Sequence, residues 1–187
     1  MKNIFLKMII CVLPICANTL LASAAHRPIP NLSTSSIRFA SVVDVIDVNK
    51  LSLRAGTSTT FNSIGQLIAQ NTLGTPVSTT TENWETLDGT ATIYNYSGAK
   101  VQYFGGKMYG YIITSSNWSV GQQGGPYIKV GNNLSTVSTL LPNYNSNKIN
   151  GTLTAPISKN GVATDSYLYI EFNTSTSIIT KISIKDY

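Results

Sequence analysis

The order apolar, basic, apolar, glycine occurs twice in this chain and restricts its fold more than any other feature. It reads LRAG at residues 53–56 and IKVG at residues 128–131. A polar run and then a short apolar stretch follow each copy. Self-similarity at a spacing of roughly 70 residues is typical of a duplicated structural unit. We therefore expect each copy to begin an equivalent unit.

A short helix is predicted after each glycine. The run TSTT after Gly56 and the pair NN after Gly131 offer helix N-caps. The first helix should end at Gly74 and Pro76, and the second at Pro142. Each has one apolar stripe at helical spacing, formed by Phe61, Ile64, Leu67 and Ile68 in the first and by Leu134, Val137 and Leu141 in the second.

Strands are predicted around these helices. The β-branched stretch SVVDVIDV at 41–48 indicates a strand before the first motif. Hairpin-like runs follow each helix, namely GTATIYNYSG, AKVQYFGG and KMYGYIIT, then INGTLTAP, DSYLYIEFN and SIITKISIK. Helices followed by hairpins indicate the α+β class. The predicted architecture is two tandem repeats, each a short helix packed on an antiparallel β-sheet, at 42–118 and 128–187. The glycine-rich stretch 119–127 is interpreted as a linker.

This order resembles the β-lactamase-inhibitor-protein-like fold, shared with outer-membrane assembly lipoproteins of the SmpA/BamE type. The resemblance spans roughly residues 50–187 and is carried by LRAG…FNSIGQLI…LGTP and IKVG…LSTVSTLLP with their hairpins. It matches the framework positions Gly56, Gly74, Pro76 and Gly131, and none of the family's partner-contacting residues. It implies a tandem helix-plus-sheet fold and an inhibitor-like or envelope-accessory role in binding a protein. The family's disulfides and lipidated cysteine have no counterpart in the predicted mature chain.

Residues 1–24 are predicted to be a signal peptide. Lys2 and Lys7 precede an apolar stretch, and Ala22-Ser23-Ala24 is a small-x-small cleavage site. Cleavage after Ala24 would remove both cysteines, so we expect a cysteine-free mature chain that is secreted or periplasmic, with no membrane span. Residues 25–41 are polar and are interpreted as a flexible leader.

The charge pattern argues against nucleic acid. The formal net charge is +5, and loss of Lys2 and Lys7 would lower it by two. The chain contains neither a basic run nor a basic helix, which are the usual signs of nucleic-acid binding.

The residues permit little catalytic chemistry. His26 is the only histidine and lies two residues past the predicted cut, so neither histidine nor cysteine catalysis nor their metal sites are expected. Ser97-Gly98-Ala99-Lys100 matches Ser-x-x-Lys, but the match falls between two strands, where Ser-Gly is ordinary turn chemistry. The acids of TENWETLD, Glu82, Glu85 and Asp88, are interpreted as a solvated loop. We expect no catalytic residues, no metal and no cofactor.

A face rich in tyrosine and lysine follows from the register of two hairpins. A two-residue turn at Gly105-Gly106 would place Val101, Tyr103, Met108 and Ile112 on one face of the sheet. Alternation in the second unit separates Leu168, Ile170 and Phe172 from Tyr167, Tyr169 and Glu171. The predicted binding face, turned away from the helices, consists of Tyr109, Tyr111, Tyr167, Tyr169, Lys100, Lys107 and Lys181.

Three functions are compatible with these patterns. The first function is a non-enzymatic module that binds a protein through the tyrosine and lysine face, since tyrosine is enriched in binding surfaces. The lysines favour a mildly acidic partner. The alternative is that these side chains only stabilise an exposed sheet. The second function is a carbohydrate- or surface-binding β-sandwich, which applies if both helices are wrong and the strands form two sheets. The third is a hydrolase that uses carboxylates.

Overall fold

The computed structural model describes residues 44–61 and 66–185, excluding the side chains of 60–61, 66–69, 146–147 and 185. The predicted signal peptide and leader lie outside these residues. Strands dominate the described part of the chain: β1 (Ile46–Asp47), β2 (Leu51–Ala55), β3 (Ser58–Phe61), β4 (Ser78–Trp84), β5 (Gly89–Tyr96), β6 (Ala99–Phe104), β7 (Lys107–Ile113), β8 (Trp118–Gln122), β9 (Tyr127–Lys129), β10 (Lys148–Ile149), β11 (Thr152–Lys159), β12 (Val162–Phe172) and β13 (Ile179–Lys185).

Helical structure in the same residues is scarce. The one α-helix described, α1, covers Gln66–Leu73. Short 3-10 helices cover Val48–Lys50, Glu85–Leu87, Leu134–Thr139 and Tyr144–Asn147. None of the described helices is both long and apolar enough to cross a membrane.

The strands form two sheets. A large nine-stranded sheet has the order β1-β11-β12-β13-β7-β6-β5-β4, with β10 added beside β11. A small four-stranded sheet has the order β3-β2-β8-β9. Neighbouring strands are antiparallel throughout, except that β1 runs parallel to β11.

The core lies between the two sheets. One face of the large sheet carries a continuous row of directly paired residues from β11 to β5, namely Leu153, Ile170, Ile182, Ile113, Ala99 and Tyr96. Leu53, Val120 and Ile128 of the small sheet belong to the same buried cluster. Trp118 links the sheets, because its indole N–H donates to Ser97 O at 2.9 Å and its ring lies 5.1 Å from that of Tyr96.

The predicted tandem α+β fold is therefore wrong. All six hairpin strands predicted after the helices are present, but they join one sheet instead of two. The junction is the antiparallel pairing of β13 with β7, which sets Ile182 opposite Ile113 and Ile184 opposite Tyr111. The buried cluster on this shared face includes residues of the small sheet, of α1 and of the 3-10 helix Leu134–Thr139, so no separate helix packs on a separate sheet in each half. Two packed sheets give a predominantly β architecture.

The first predicted helix does not include Phe61, which ends β3, and the predicted Ile64 lies outside the described residues. The TSTT run that was expected to cap it instead contributes to β3, which pairs with β2 through a tight turn at Gly56 and Thr57. Three consecutive β-branched or hydroxyl residues favour a strand over a helix start. The predicted stop is confirmed: α1 ends at Leu73, and Gly74 has φ +86° with its N–H bonded to Gln70 O at 3.0 Å.

The second predicted helix is a 3-10 helix, Leu134–Thr139. Its N-cap prediction is confirmed, because the Asn133 side chain accepts from Ser135 N–H. Serine and threonine hydroxyls then bond to carbonyls three residues back, as Thr136 does to Asn133 O and Thr139 to Thr136 O, both at 2.7 Å. Such bonds compete with α-helical ones. The buried Leu134, Val137 and Leu140 recur every three residues, which is the 3-10 period.

Both glycine motifs lie in the small sheet but begin different structures. The first three residues of LRAG belong to β2 and the first two of IKVG belong to β9, and both strands flank β8. Gly56 and Gly131 adopt φ of +57° and +88°, which is costly for any other residue. A hairpin follows the first motif and a 3-10 helix the second. The repeated sequence thus encodes a strand that ends in a left-handed glycine, and not a repeated unit.

Two further segments differ from expectation. The segment 119–127, interpreted as a linker, contains most of β8 and the start of β9, whose hairpin belongs to the small sheet. In the predicted strand 41–48, the structure has a strand only at Ile46–Asp47, and Val48 opens a 3-10 helix. Residues 41–43 lie outside the described part.

Candidate binding face

The face of the large sheet opposite the small sheet, called the outer face here, is the candidate site. One row of paired residues crosses it from β11 to β4: Thr154, Tyr169, Ser183, Ile112, Lys100, Asn95 and Ser78. All of them are exposed or half-buried. The row consists mostly of hydroxyl and amide side chains, and Lys100 is the charged residue in it.

Two of the predicted tyrosines form a pair on this face. Tyr167 and Tyr169 lie on β12, and their ring centroids are 6.1 Å apart. Tyr167 is 36% exposed, an unusual fraction for so large a ring. Their inward neighbours Leu168 and Ile170 are fully buried, so the alternation predicted for this strand is confirmed.

Tyr111 is not on the outer face. The turn at Gly105-Gly106 is as predicted, with Tyr103 opposite Met108 and positive φ at both glycines. One residue further along, the register shifts, because Gln102 pairs with Gly110 and not with Tyr109. This β-bulge inserts an extra residue and reverses the alternation beyond it. Tyr111 therefore lies in the core with 0% exposure, and Ile112 takes its place outside.

Tyr109 stays outside and joins an aromatic cluster. Its ring centroid is 5.1 Å from that of Trp84 and 6.0 Å from that of Phe104. Trp84 and Phe104 are parallel within 2° at 6.0 Å. All three rings are half-buried. The outer face thus presents aromatic side chains from four strands, β4, β6, β7 and β12.

Sequence reasoning missed two members of this cluster. Trp84 and Phe104 were not among the predicted binding residues. The signal for Phe104 was present, since it shares the alternation of Lys100 and Gln102 on β6. The sequence held no comparable signal for Trp84, which lies in the stretch interpreted as a loop. In the structure Trp84 is at the end of β4, opposite Gly89. A Cβ on Gly89 would lie 2.9 Å from the Phe104 ring, so glycine leaves room for that ring.

Apolar residues also lie beneath this cluster. Ala91 and Ile93 on β5 are buried but do not belong to the core between the sheets. They pair with Glu82 and Gln102 on the outer-face register. Their burial gives the aromatic corner of the outer face a small apolar base of its own.

The three lysines contribute unequally. Lys181 forms an ion pair with Glu171 at 2.7 Å, directly across from it on the neighbouring strand. Lys100 is exposed near the middle of the outer face. Lys107 is exposed at the start of β7, opposite Phe104. Of the three predicted lysines, Lys100 and Lys107 are thus the two that form no ion pair with a residue in the described ranges.

The residues of the two catalytic alternatives lie in a turn, on strands, and in and after a 3-10 helix. Ser97 and Gly98 form the turn between β5 and β6, with φ +77° at Gly98, and Lys100 lies on a strand. Glu82 lies on β4 instead of in the predicted loop, while Glu85 and Asp88 lie in and after a 3-10 helix. All three acids are exposed. In the described ranges, no group of three or more histidine, cysteine or acidic residues could hold a metal ion.

Comparisons with known proteins add no relative. No family model, no curated protein and no solved structure matches this chain. The site must therefore be interpreted from its own geometry.

Proposed function

We propose that this protein is a non-catalytic binding module that holds its partner on the outer face of the large sheet. One observation carries the proposal: five aromatic side chains on four strands, Trp84, Phe104, Tyr109, Tyr167 and Tyr169, remain partly exposed on the face that the small sheet does not cover. Cross-strand stabilisation explains each pair of rings. It does not explain why the rings share one face with mainly polar neighbours.

A protein partner is the first candidate. Tyrosine and tryptophan supply large contact areas at low conformational cost and dominate binding energies at protein interfaces. Lys100 and Lys107 favour acidic groups on that partner, while Lys181 is already neutralised by Glu171. The partner would bury the Tyr167 and Tyr169 rings and pair their hydroxyls.

A carbohydrate is the second candidate, and the two-sheet architecture favours it. Polysaccharides are recognised by flat aromatic surfaces that also carry hydroxyl and amide groups, because sugar rings present both apolar faces and polar edges. The outer face has this composition, with Thr154, Ser183, Asn95 and Ser78 around its aromatic residues.

The test compares Tyr167→Ala/Tyr169→Ala with the unmodified protein and with Ile149→Ala/Val162→Ala. The control also removes exposed apolar groups, since Ile149 and Val162 are 73% and 68% exposed, but it leaves the tyrosine pair intact. Each immobilised protein is exposed to the native extracellular or periplasmic fraction and, separately, to uncharged polysaccharides. A retained partner is then purified and its affinity measured directly.

We expect the tyrosine variant to lose about 2 kcal/mol or more of binding free energy, as for aromatic hot spots, and the control to lose none. The arm in which binding is lost identifies the partner class. Equal binding by all three proteins, or no binding by any of them, would refute the outer face as the contact surface.

A further inference from the structure

A cavity at one end of the core borders the outer face, because Lys107 and Tyr109 line it. It has a volume of about 260 Å³ and lies between the large sheet and the 3-10 helix Val48–Lys50. Its apolar wall is formed by Val48, Met108, Ile157 and Ile184. The cavity belongs to the core face of the sheet, because Met108, Ile157 and Ile184 are all buried members of the core cluster.

The sequence of β12 explains why this space is open. The core-facing positions of this strand hold Thr164, Ser166, Leu168 and Ile170 in order. The last two fill the core with large apolar groups, and the first two are small and carry hydroxyls. Since interiors are otherwise closely packed, two undersized residues in succession leave a void that the opposing elements do not fill. The void is lined by Thr164 and Ser166.

The two hydroxyl groups that line the cavity, those of Thr164 and Ser166, differ in their hydrogen bonds. The Thr164 hydroxyl donates to Ile157 O at 2.8 Å and accepts from Ser166 N–H at 3.3 Å. Ser166 is only 3% exposed. A buried hydroxyl beside an apolar wall favours a ligand with one polar end.

Both charged residues that line the cavity are lysines. Lys107 comes from the start of β7 and Lys159 from the end of β11. Both are exposed, and neither forms an ion pair with a residue in the described ranges, where the ion pair found joins Lys181 and Glu171. The acids nearest in sequence, Asp47 and Asp165, are not part of the lining. The cavity therefore combines an apolar wall with two lysines that form no ion pair in the described ranges.

We propose that this cavity binds a small amphipathic anion, in which a carboxylate, sulfonate or phosphate is attached to a single ring or a short hydrocarbon chain. The apolar part packs against Met108, Ile157 and Ile184, and the anionic group lies near Lys107 and Lys159. The volume fits such a ligand, since an apolar cavity of about 150 Å³ already accommodates benzene.

The experiment titrates the full chain with two matched pairs of probes, followed by calorimetry and by amide chemical shifts. The pairs are octanoate with octanamide and 4-ethylbenzoate with 4-ethylbenzamide, so the members of each pair differ in charge and hardly in size. Acetate and inorganic phosphate serve as head groups without an apolar part. The expected result is that each anion binds at least fivefold more tightly than its amide, and that the bare head groups bind weakly.

Four variants locate the site. Ser166→Leu should abolish binding by filling the cavity, while Ser166→Ala should retain it. Lys107→Gln and Lys159→Gln should each weaken anion binding about two- to fivefold, as for partly solvated ion pairs, and leave amide binding unchanged. Lys129→Gln is the charge-matched control, because Lys129 is exposed on β9 and does not line the cavity.

Three outcomes would overturn the proposal. Equal affinity for anion and amide would mean that the lysines do not select charge. An equal effect of Lys129→Gln would mean that the overall positive charge of the protein attracts the anion. Chemical-shift changes away from the cavity residues would place binding elsewhere. If Ser166→Leu does not fold, the paired probes and the lysine variants decide the question alone.

Discussion

Tyr111 shows how a single inserted residue changes what a side chain does. The bulge at Tyr109 and Gly110 turns Tyr111 into the core, where it is fully buried and its hydroxyl has no hydrogen-bond partner among the residues that the structure describes. Burial also raises the pKa of Tyr111 and of Tyr103, because ionising a phenol away from water is unfavourable. The residue predicted to bind a partner is therefore a core residue with an unsatisfied polar group.

Replacing Tyr111 by phenylalanine should stabilise the protein. The substitution removes a buried hydroxyl whose desolvation is uncompensated and leaves the ring packing intact. We expect the free energy of unfolding at neutral pH to rise by about 1 kcal/mol, measured by urea titration. A loss of stability of similar size would show that the hydroxyl has a partner in solution.

The same variant should resist alkali better than the unmodified protein. The pKa of Tyr111 is raised in the folded state above the unfolded value of about 10. Its contribution to stability is thus fully present below about pH 10 and is lost as the pH rises through the folded pKa. Urea titrations at pH 8, 10 and 11 should show a smaller fall for Tyr111→Phe. Parallel falls in both proteins would contradict the raised pKa.

At the scale of secondary-structure elements, the 3-10 helix Leu134–Thr139 shows which sequence predictions hold and which do not. Residues 134–139 keep the apolar spacing and the N-cap expected of a helix, yet their hydroxyl bonds to preceding carbonyls make the helix 3-10. Val137 remains its central buried residue with 0% exposure. The apolar face was thus predicted correctly even though the helix type was not.

Val137→Asp should destabilise the fold strongly. An unpaired carboxylate at this buried position costs several kcal/mol, a large part of a typical total of ~5–15 kcal/mol. Ser138→Asp introduces the same charge at the neighbouring exposed position and should change stability little. Thermal melts of both variants are the measurement. Similar melting temperatures would mean that residue 137 is not buried.

The bulge in β7 depends on Gly110. A Cβ at this position would lie 2.7 Å from Ile184 O on β13 and 3.2 Å from the Gln102 side chain. Gly110→Ala should therefore cost about 1–3 kcal/mol, the usual range for overpacking. Gly125→Ala is the control, because its Cβ would meet its nearest atom at 3.4 Å. If the two variants prove equally stable, the close approach of β7 and β13 is wrong.

At the scale of the whole molecule, the pairing of β13 with β7 joins segments more than 60 residues apart in the sequence into one sheet. This is a long-range contact, which forms only after a long loop has closed. The small sheet then covers a face to which both halves of the chain contribute. Two independent repeats would have separate cores, whereas this arrangement has one.

A single cooperative unfolding transition is the expected consequence. Trp84 reports on the large sheet and Trp118 on the small one, so Trp84→Phe and Trp118→Phe separate their fluorescence signals. Both signals should change at the same urea concentration as the far-UV circular dichroism, as two-state unfolding requires. Two resolved transitions would instead favour independent units.

What the sequence determines by itself is local. Strands β5, β6, β7, β11, β12 and β13 follow from alternation, and the turn at Gly105-Gly106 and the end of α1 at Gly74 follow from glycines with positive φ. These features depend on neighbours within a few residues, so residue type and period suffice to predict them. The outward position of Tyr167 and Tyr169 belongs to this group.

What only the tertiary structure decided is non-local. The bulge at Tyr109 is set by how closely β7 approaches β13, and hydrogen bonds between distant strands use backbone groups that every residue has. The amino-acid sequence therefore indicates little about which strands pair, or about which half of the chain covers the apolar face of the large sheet. That is why Tyr111 was placed on the wrong face, why Trp84 and Phe104 were missed, and why two strand sets predicted as separate sheets form one.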